Sequence, residues 1–152
     1  MYQFLILFFL AYAGPKDQSK ELDQVLDQWH QAASEAQFEK YFSLMSDHAV
    51  FIGTAPGERW DKKSFMEFSK PYFDRGKAWD FKPLSRHWSF SKDGKTAWFD
   101  EVLDTWMMDC SGSGVLIKEG KTWKIAFYDL HVLIENEKMN SFLELRKEKS
   151  KD

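Results

Sequence analysis

The sequence predicts an α+β fold in which helices pack on one face of a curved antiparallel sheet. Three observations carry this. Apolar residues recur at helical spacing through the first half of the chain, the period changes to two from Trp79 onward, and Gly-containing turn dipeptides punctuate the second half. The 152 residues suffice for one domain with a core, and aromatics at 17%, with seven Trp and fourteen Phe, suit large side chains buried in strands or around a cavity.

Taken in order, the chain opens on "MYQFLILFFLAYAGP", with ten uncharged, mostly apolar residues from Phe4 to Ala13. A bilayer-spanning helix needs roughly 20. The stretch fits the apolar part of a secretory signal, and Ala11-Tyr12-Ala13 is a small-x-small cleavage site before Gly14, although no Lys or Arg opens it. The pattern predicts a signal peptide over 1–13, hence a secreted or periplasmic protein with no membrane attachment after leader removal. A buried N-terminal helix or strand of the domain is the other reading of the same residues. A linker over 14–20, a domain over 21–137 and a charged C-terminal helix or tail over 138–152 follow.

In "KELDQVLDQWHQAASEA", Leu22, Val25, Leu26, Trp29 and Ala33 share one helical face. A second short helix carries Phe38, Tyr41, Phe42 and Met45 at the same spacing. "HAVFIGT" is dense in β-formers and reads as a strand, and "APGERW" as a turn. Asp61 can cap a third helix whose Phe65, Phe68 and Tyr72 share a face; Pro71 should kink it and Gly76 end it. Four strands follow, at about Trp79–Ser91, Thr96–Met108, Ser113–Lys118 and Thr122–Ile134, with turns at Asp93-Gly94 and Glu119-Gly120.

A two-residue turn at Asp93-Gly94 would set Phe90 against Ala97, Trp88 against Phe99, Arg86 against Glu101 and Leu84 against Leu103, all on one face. That face is apolar except for one Arg opposite one Glu. The other holds His87 opposite Asp100, with Ser85, Ser89, Ser91 and Asp104, and reads as wetter. Glu101 therefore points inward and Asp100 outward. An inward Glu beside an inward Arg is either a buried ion pair that orders the sheet or a polar spot in an apolar pocket. A close Arg would lower the Glu pKa, making Glu101 a weak base better suited to hydrogen bonding than to proton abstraction.

"VFIGTAPGERW", "FMEFSKPYFDRG", "AWFDEVLD", "CSGSGVLIKEGKTWKIAFYDL" and "IEN", in this order over roughly Leu22 to Asn136, resemble the SnoaL-like branch of the nuclear transport factor 2-like superfamily. The matching positions are Gly53, Thr54, Gly57, Glu58, Trp60, Glu101, Cys110, Gly112, Gly114, Tyr128, Leu130 and Asn136. The resemblance implies a cone: a strongly curved antiparallel sheet wrapped around three N-terminal helices, with an internal cavity at the wide end. It also implies a homodimer formed through the sheet, and cofactor-free acid–base chemistry in those relatives that are enzymes. Ser111 stands where a basic residue is common in this branch and Glu135 where a proline is, so a role of that basic residue is lost or passed to Arg86 or Arg59.

The remaining candidates are weaker. Glu58 and Trp60 of "GERW" would supply an acid and an aromatic wall to a pocket rim, or else satisfy loop N–H groups and pack in the core. Tyr41 and Tyr128 are candidate pocket hydroxyls, or core aromatics with the OH at an edge. His131 lies two residues from Asp129 on the same side of the last strand, where a His–Asp contact can form. The four His have no i,i+4 pair, so no metal is expected, and "CSGSGVL" leads into a strand rather than a helix, so its small residues serve close backbone approach or a bulge. Cys110 is the one cysteine and reads as a buried, inert thiol. A net charge of −3 with no basic face argues against nucleic acid.

Together these readings predict an exported domain that binds a small, largely apolar molecule, needs no cofactor, and draws its pocket from Glu101, Arg86, Trp60, Glu58, Tyr128, Tyr41 and His131. The alternative is a non-catalytic dimerisation or accessory module whose vestigial pocket is filled by its own Trp and Phe side chains.

Overall fold

The computed structural model describes residues 15–148, and the predicted leader lies outside that range. The elements are α1 (Pro15–Ser34), α2 (Phe38–Ser43), β1 (Met45–Ile52), β2 (Arg59–Asp61), α3 (Lys62–Phe73), β3 (Lys82–Phe90), β4 (Thr96–Thr105), β5 (Met108–Glu119), β6 (Thr122–Val132) and α4 (Met139–Glu148), with one 3-10 turn, Asn136–Lys138, before α4. The sheet is a single six-stranded one in the order β2-β1-β6-β5-β4-β3. Its concave side wraps α1 to α3, as expected for the cone. Among the described residues, no helix is long and apolar enough to cross a membrane.

α1 buries Leu22, Leu26, Trp29, Ala32 and Ala33 against the sheet, while Val25 is only half-buried. Full burial of each leucine is worth about 1.5–3 kcal/mol. The helix starts at Pro15, so most of the stretch expected as a linker is helical; proline's fixed φ suits a first helical position. Asp61 caps α3 as expected, its carboxylate accepting the Ser64 N–H at 2.8 Å. Pro71 falls in the last turn, two residues before the helix ends, and Gly76 adopts φ +86° beyond it. The buried face of α3 is Phe65, Ser69 and Phe73 rather than Phe65, Phe68 and Tyr72, which leaves Phe68 and Tyr72 at the surface.

The β3–β4 register agrees with the sequence reading from Phe90↔Ala97 through Arg86↔Glu101. Its loop is longer than expected: Ser91 and Thr96 close it, and Asp93 accepts both the Ser91 hydroxyl and the Lys95 N–H. Upstream the pairing departs. Pro83, not Leu84, faces Leu103, because a bulge between Pro83 and Ser85 pushes Leu84 out to 61% exposure. Proline cannot donate to a ladder, and the bulge accommodates it.

β4 ends at Thr105 and β5 begins at Met108, five residues earlier than expected. The reversal at Trp106-Met107 carries no Gly or Pro, and Met108 takes φ +70°. Thr105 holds it instead: its hydroxyl accepts the Met107 N–H at 2.9 Å and donates to the Met108 carbonyl at 2.9 Å. β1 begins at Met45, which the helical spacing had assigned to α2. β1 pairs with β6 in parallel and with the short β2 in antiparallel fashion; neither contact is local enough for periodicity to report.

Candidate functional site

Leu22, Leu26 and His30 fall at i, i+4 and i+8 on α1, so the apolar stripe that docks the helix carries His30 into the core with it. There it meets Glu101 of β4, which is 1% exposed. Glu101 Oε1 accepts from His30 Nε2 at 2.9 Å and from the Tyr128 hydroxyl at 2.8 Å. Its Oε2 accepts from Arg86 Nε at 2.9 Å and lies 2.8 Å from Arg86 Nη2. Arg86 Nη1 reaches Asp23 and Asp27 of α1, both at 3.1 Å, and Asp23 also accepts the Trp88 indole N–H at 2.9 Å. A single arginine thus ties one helix to two strands.

Gly112 lies opposite Glu101 in the β4–β5 ladder. A Cβ there would overlap the Tyr128 hydroxyl and crowd Glu101 Cγ, so only glycine leaves Tyr128 room to reach the carboxylate. This gives "CSGSG" its reason. Gly114 likewise makes space for the Phe99 ring and the Phe127 carbonyl.

Burial raises the Glu101 pKa. His30, by hydrogen bond and charge, then the Arg86 charge and the Tyr128 hydroxyl outweigh it and leave the carboxyl below the usual range. Burial and the adjacent Glu101 push the Tyr128 phenol well up. Arg86 is pulled down by burial and raised more by Glu101 and Asp23, so it stays charged. The cluster is an anion saturated by three donors. Among its nitrogens, His30 Nδ1 is buried without a partner.

A separate cleft lies where β1, β4 and β6 finish. It has a volume of about 200 Å³ and thirteen lining residues, eight of them aromatic. β1 and β2 contribute Phe51 and Trp60, α3 contributes Phe65, Phe68 and Tyr72, and the segment before β3 contributes Trp79 and Phe81. Trp106, at the β4–β5 reversal, forms the outer lip and is 82% exposed. Phe65 stacks on Phe51 at 4.1 Å and Trp60 on Phe68 at 4.5 Å between centroids, with Trp79 parallel to Phe65 within 24°. Glu58 sits at the rim beside Gly53, one carboxylate oxygen accepting the Ala55 N–H at 2.9 Å.

Of the seven residues proposed from sequence, only Glu58 and Trp60 line this cleft. Glu101, Arg86 and Tyr128 come together instead in the closed cluster, because the rings of Phe51, Trp29 and Tyr128 pack on one another on the side toward the cleft. Tyr41 is wholly buried and stacked on Trp29, and burial drives its phenol pKa well up. His131 is exposed and 3.5 Å from Asp129, the contact its spacing allowed, but it faces away from the cleft lining. His87 pairs with Asp100 at 3.1 Å on the wet face. Sequence reasoning left out His30, Asp23 and Asp27. The i, i+4, i+8 run into His30 was the available signal. Trp106 and Phe68 were missed for want of the turn and of the α3 phase.

A family model described as a SnoaL-like domain matches residues 22–135. No curated protein matches the sequence. Among solved structures, an NTF2-like protein of unknown function from Pseudomonas putida KT2440 aligns with a TM-score of 0.66 at 10% identity, covering 82% of this chain and 93% of that one. A protein from Novosphingobium aromaticivorans provisionally named an aromatic ring hydroxylase gives 0.66 at 12% identity, over 81% and 94%. Another from the same organism, provisionally named a scytalone dehydratase, gives 0.65 at 10% identity, over 78% and 86%. These likenesses are of fold. With the family model covering most of the chain and the curved sheet around three helices in place, this protein belongs to the SnoaL-like domain family of the NTF2-like fold.

Proposed function

We propose that the domain binds a small, flat, largely apolar molecule in the aromatic cleft. One observation carries this reading: eight aromatic side chains surround about 200 Å³ of open space, and one of them, Trp106, stands 82% exposed at its lip. A large apolar ring left in water at the mouth of a concave apolar site is the arrangement that gains most from a ligand. Two neighbours of the same fold bear enzyme names, which supports a ligand for the cleft. In this reading Glu101 is scaffolding, and any turnover falls to groups at the rim such as Glu58 and Thr54.

Native mass spectrometry of the protein purified from its own host tests the reading. A retained small molecule, lost from the Trp106→Ala variant, is the expected result. Repeated recovery of empty protein, with no response of the Trp60, Trp79 and Trp106 fluorescence to a panel of bicyclic aromatics, would sink it.

Export and pairing belong to the same proposal. Edman sequencing of secreted or periplasmic material should begin near Gly14; an intact Met1 counts against the leader. For a homodimer, the supporting feature is the row Trp98, Val115, Phe127 and Val50 across the outer face of the sheet, in register on four adjacent strands. Trp98 is exposed and the others are half-buried.

A further inference from the structure

The charge in the lining of the cleft has one sign, and the cation at its rim, Arg75, is already seated on the Tyr72 ring. Glu58 is the one ionisable acid among its lining residues, and no Lys or Arg lines it. No cation pairs with Glu58 among the described residues. The carboxylate is also held in place. One oxygen takes the Ala55 N–H, the Glu58 carbonyl accepts the Gly53 N–H at 2.8 Å, and a Cβ on Gly53 would strike both this oxygen and the Trp60 ring. A fixed, unneutralised anion thus stands against an indole at the edge of an aromatic wall. The rim already shows what such rings attract: the Arg75 guanidinium sits 4.7 Å over Tyr72. Trp106, by contrast, stacks on no ring and carries no cation among the described residues, and its ring is 82% exposed at the lip.

A carboxylate or phosphate ligand beside Glu58 would find repulsion and no counter-charge among the lining residues. A cation would find π faces and an anion together, a pairing worth more once desolvated. The geometry points to an organic cation: an apolar or aromatic body carrying a quaternary or tertiary ammonium, its charge beside Glu58 and Trp60 and its body covered by Trp106. This inference rests on the reading of the cleft as a ligand site and adds the sign of the ligand's charge to it.

Three probes of similar size separate the two. Phenyltrimethylammonium, its neutral isostere tert-butylbenzene, and benzoate are titrated by calorimetry into the protein as purified from its host. The cation should bind about tenfold more tightly than the isostere, the size of a partly desolvated cation–π contact with a nearby anion, and benzoate should not bind. Glu58→Gln keeps an acceptor for the Ala55 N–H, so the loop holds. It should weaken the cation about fivefold to tenfold and leave the isostere unchanged. Equal binding of cation and isostere, or cation binding indifferent to Glu58→Gln, overturns the charge inference while the ligand site stands. Failure of all three probes overturns both.

Discussion

Glu101 and His30 lie 71 residues apart in the chain and 2.9 Å apart in the fold. The carboxylate they share with Arg86 and Tyr128 is the point at which α1 is fastened to β3, β4 and β6. Its surroundings decide what substitution there should do. Glu101→Ala leaves Arg86 largely buried without its nearest counter-charge, and breaking a buried pair in this way costs about 3–5 kcal/mol. Glu101→Gln retains the shape and some hydrogen bonding and should cost less. Urea denaturation followed by circular dichroism measures both. Two variants as stable as the wild type would show that the cluster holds nothing together.

Acid should expose the same group. Glu101 titrates below its ordinary range in the folded chain, so its contribution is complete above the unfolded carboxyl value, about 4.3, and declines as pH falls through the lower folded value. The stability difference between wild type and Glu101→Gln should therefore be constant near neutrality and shrink toward acid. Urea midpoints collected from pH 7 to pH 3 give the comparison, and a difference independent of pH would contradict the burial and pairing described for Glu101.

Gly112→Ala tests the packing that lets Tyr128 reach Glu101. The new Cβ overlaps the phenol, and overpacking of this kind costs about 1–3 kcal/mol. Tyr128→Phe removes one hydrogen bond to the carboxylate, worth about 1.5–3 kcal/mol for a charged acceptor. Because both act on one contact, the double variant should cost less than the two added together. Strict additivity in thermal or urea unfolding would mean that the glycine serves something other than this hydroxyl.

Trp106→Ala should separate binding from stability. An exposed ring on a turn contributes within about 0.5 kcal/mol to folding. The same change should abolish or greatly weaken capture of aromatic ligands by the cleft it borders. Phe65→Ala is the contrast: the ring is buried between Phe51 and Trp79, and its loss should cost about 3–5 kcal/mol whatever it does to binding. Differential scanning fluorimetry alongside calorimetric titration distinguishes the two behaviours.

Trp98→Lys on the outer face should leave the melting temperature nearly unchanged and, if copies pair through the Trp98, Val115 and Phe127 row, shift the mass in light scattering from dimer to monomer. A wild-type monomer at micromolar concentration would remove that pairing.

Local physics made much of this legible in advance. Period two, a turn at Asp93-Gly94 and strict alternation were enough to set Arg86 against Glu101 and turn Asp100 to water. Asp61 announced α3 by its capping chemistry. What escaped has a common cause. The Trp106-Met107 reversal is held by the Thr105 side chain rather than by glycine or proline, so it leaves no compositional mark. His30 joins Glu101 only because α1 crosses the sheet at that height, which no period reports. The phase of α3 depended on Ser69, a small polar residue that buries by donating to the Phe65 carbonyl at 2.6 Å, where hydrophobicity alone favours Phe68. The cluster and the cleft both lie on the concave side, with the rings of Phe51, Trp29 and Tyr128 packed together between them. Spacing along a strand carries no information about that partition.

The parallel pairing of β1 with β6 sets the order of assembly. Phe51 lies beside Tyr128, so the first strand translated meets its central neighbour only when nearly all of the domain has been made. Until then β1 has no strand partner but the three-residue β2, and α1 has α2 but neither β3 nor β6 to pack on. Loop closure over that distance precedes any gain from the contacts it allows, so this pairing should form later than the β3–β4, β4–β5 and β5–β6 hairpins. A chain cut before Thr122 should have no folded form, and one still emerging from the ribosome should remain open to chaperones and proteases until its last strand is in place.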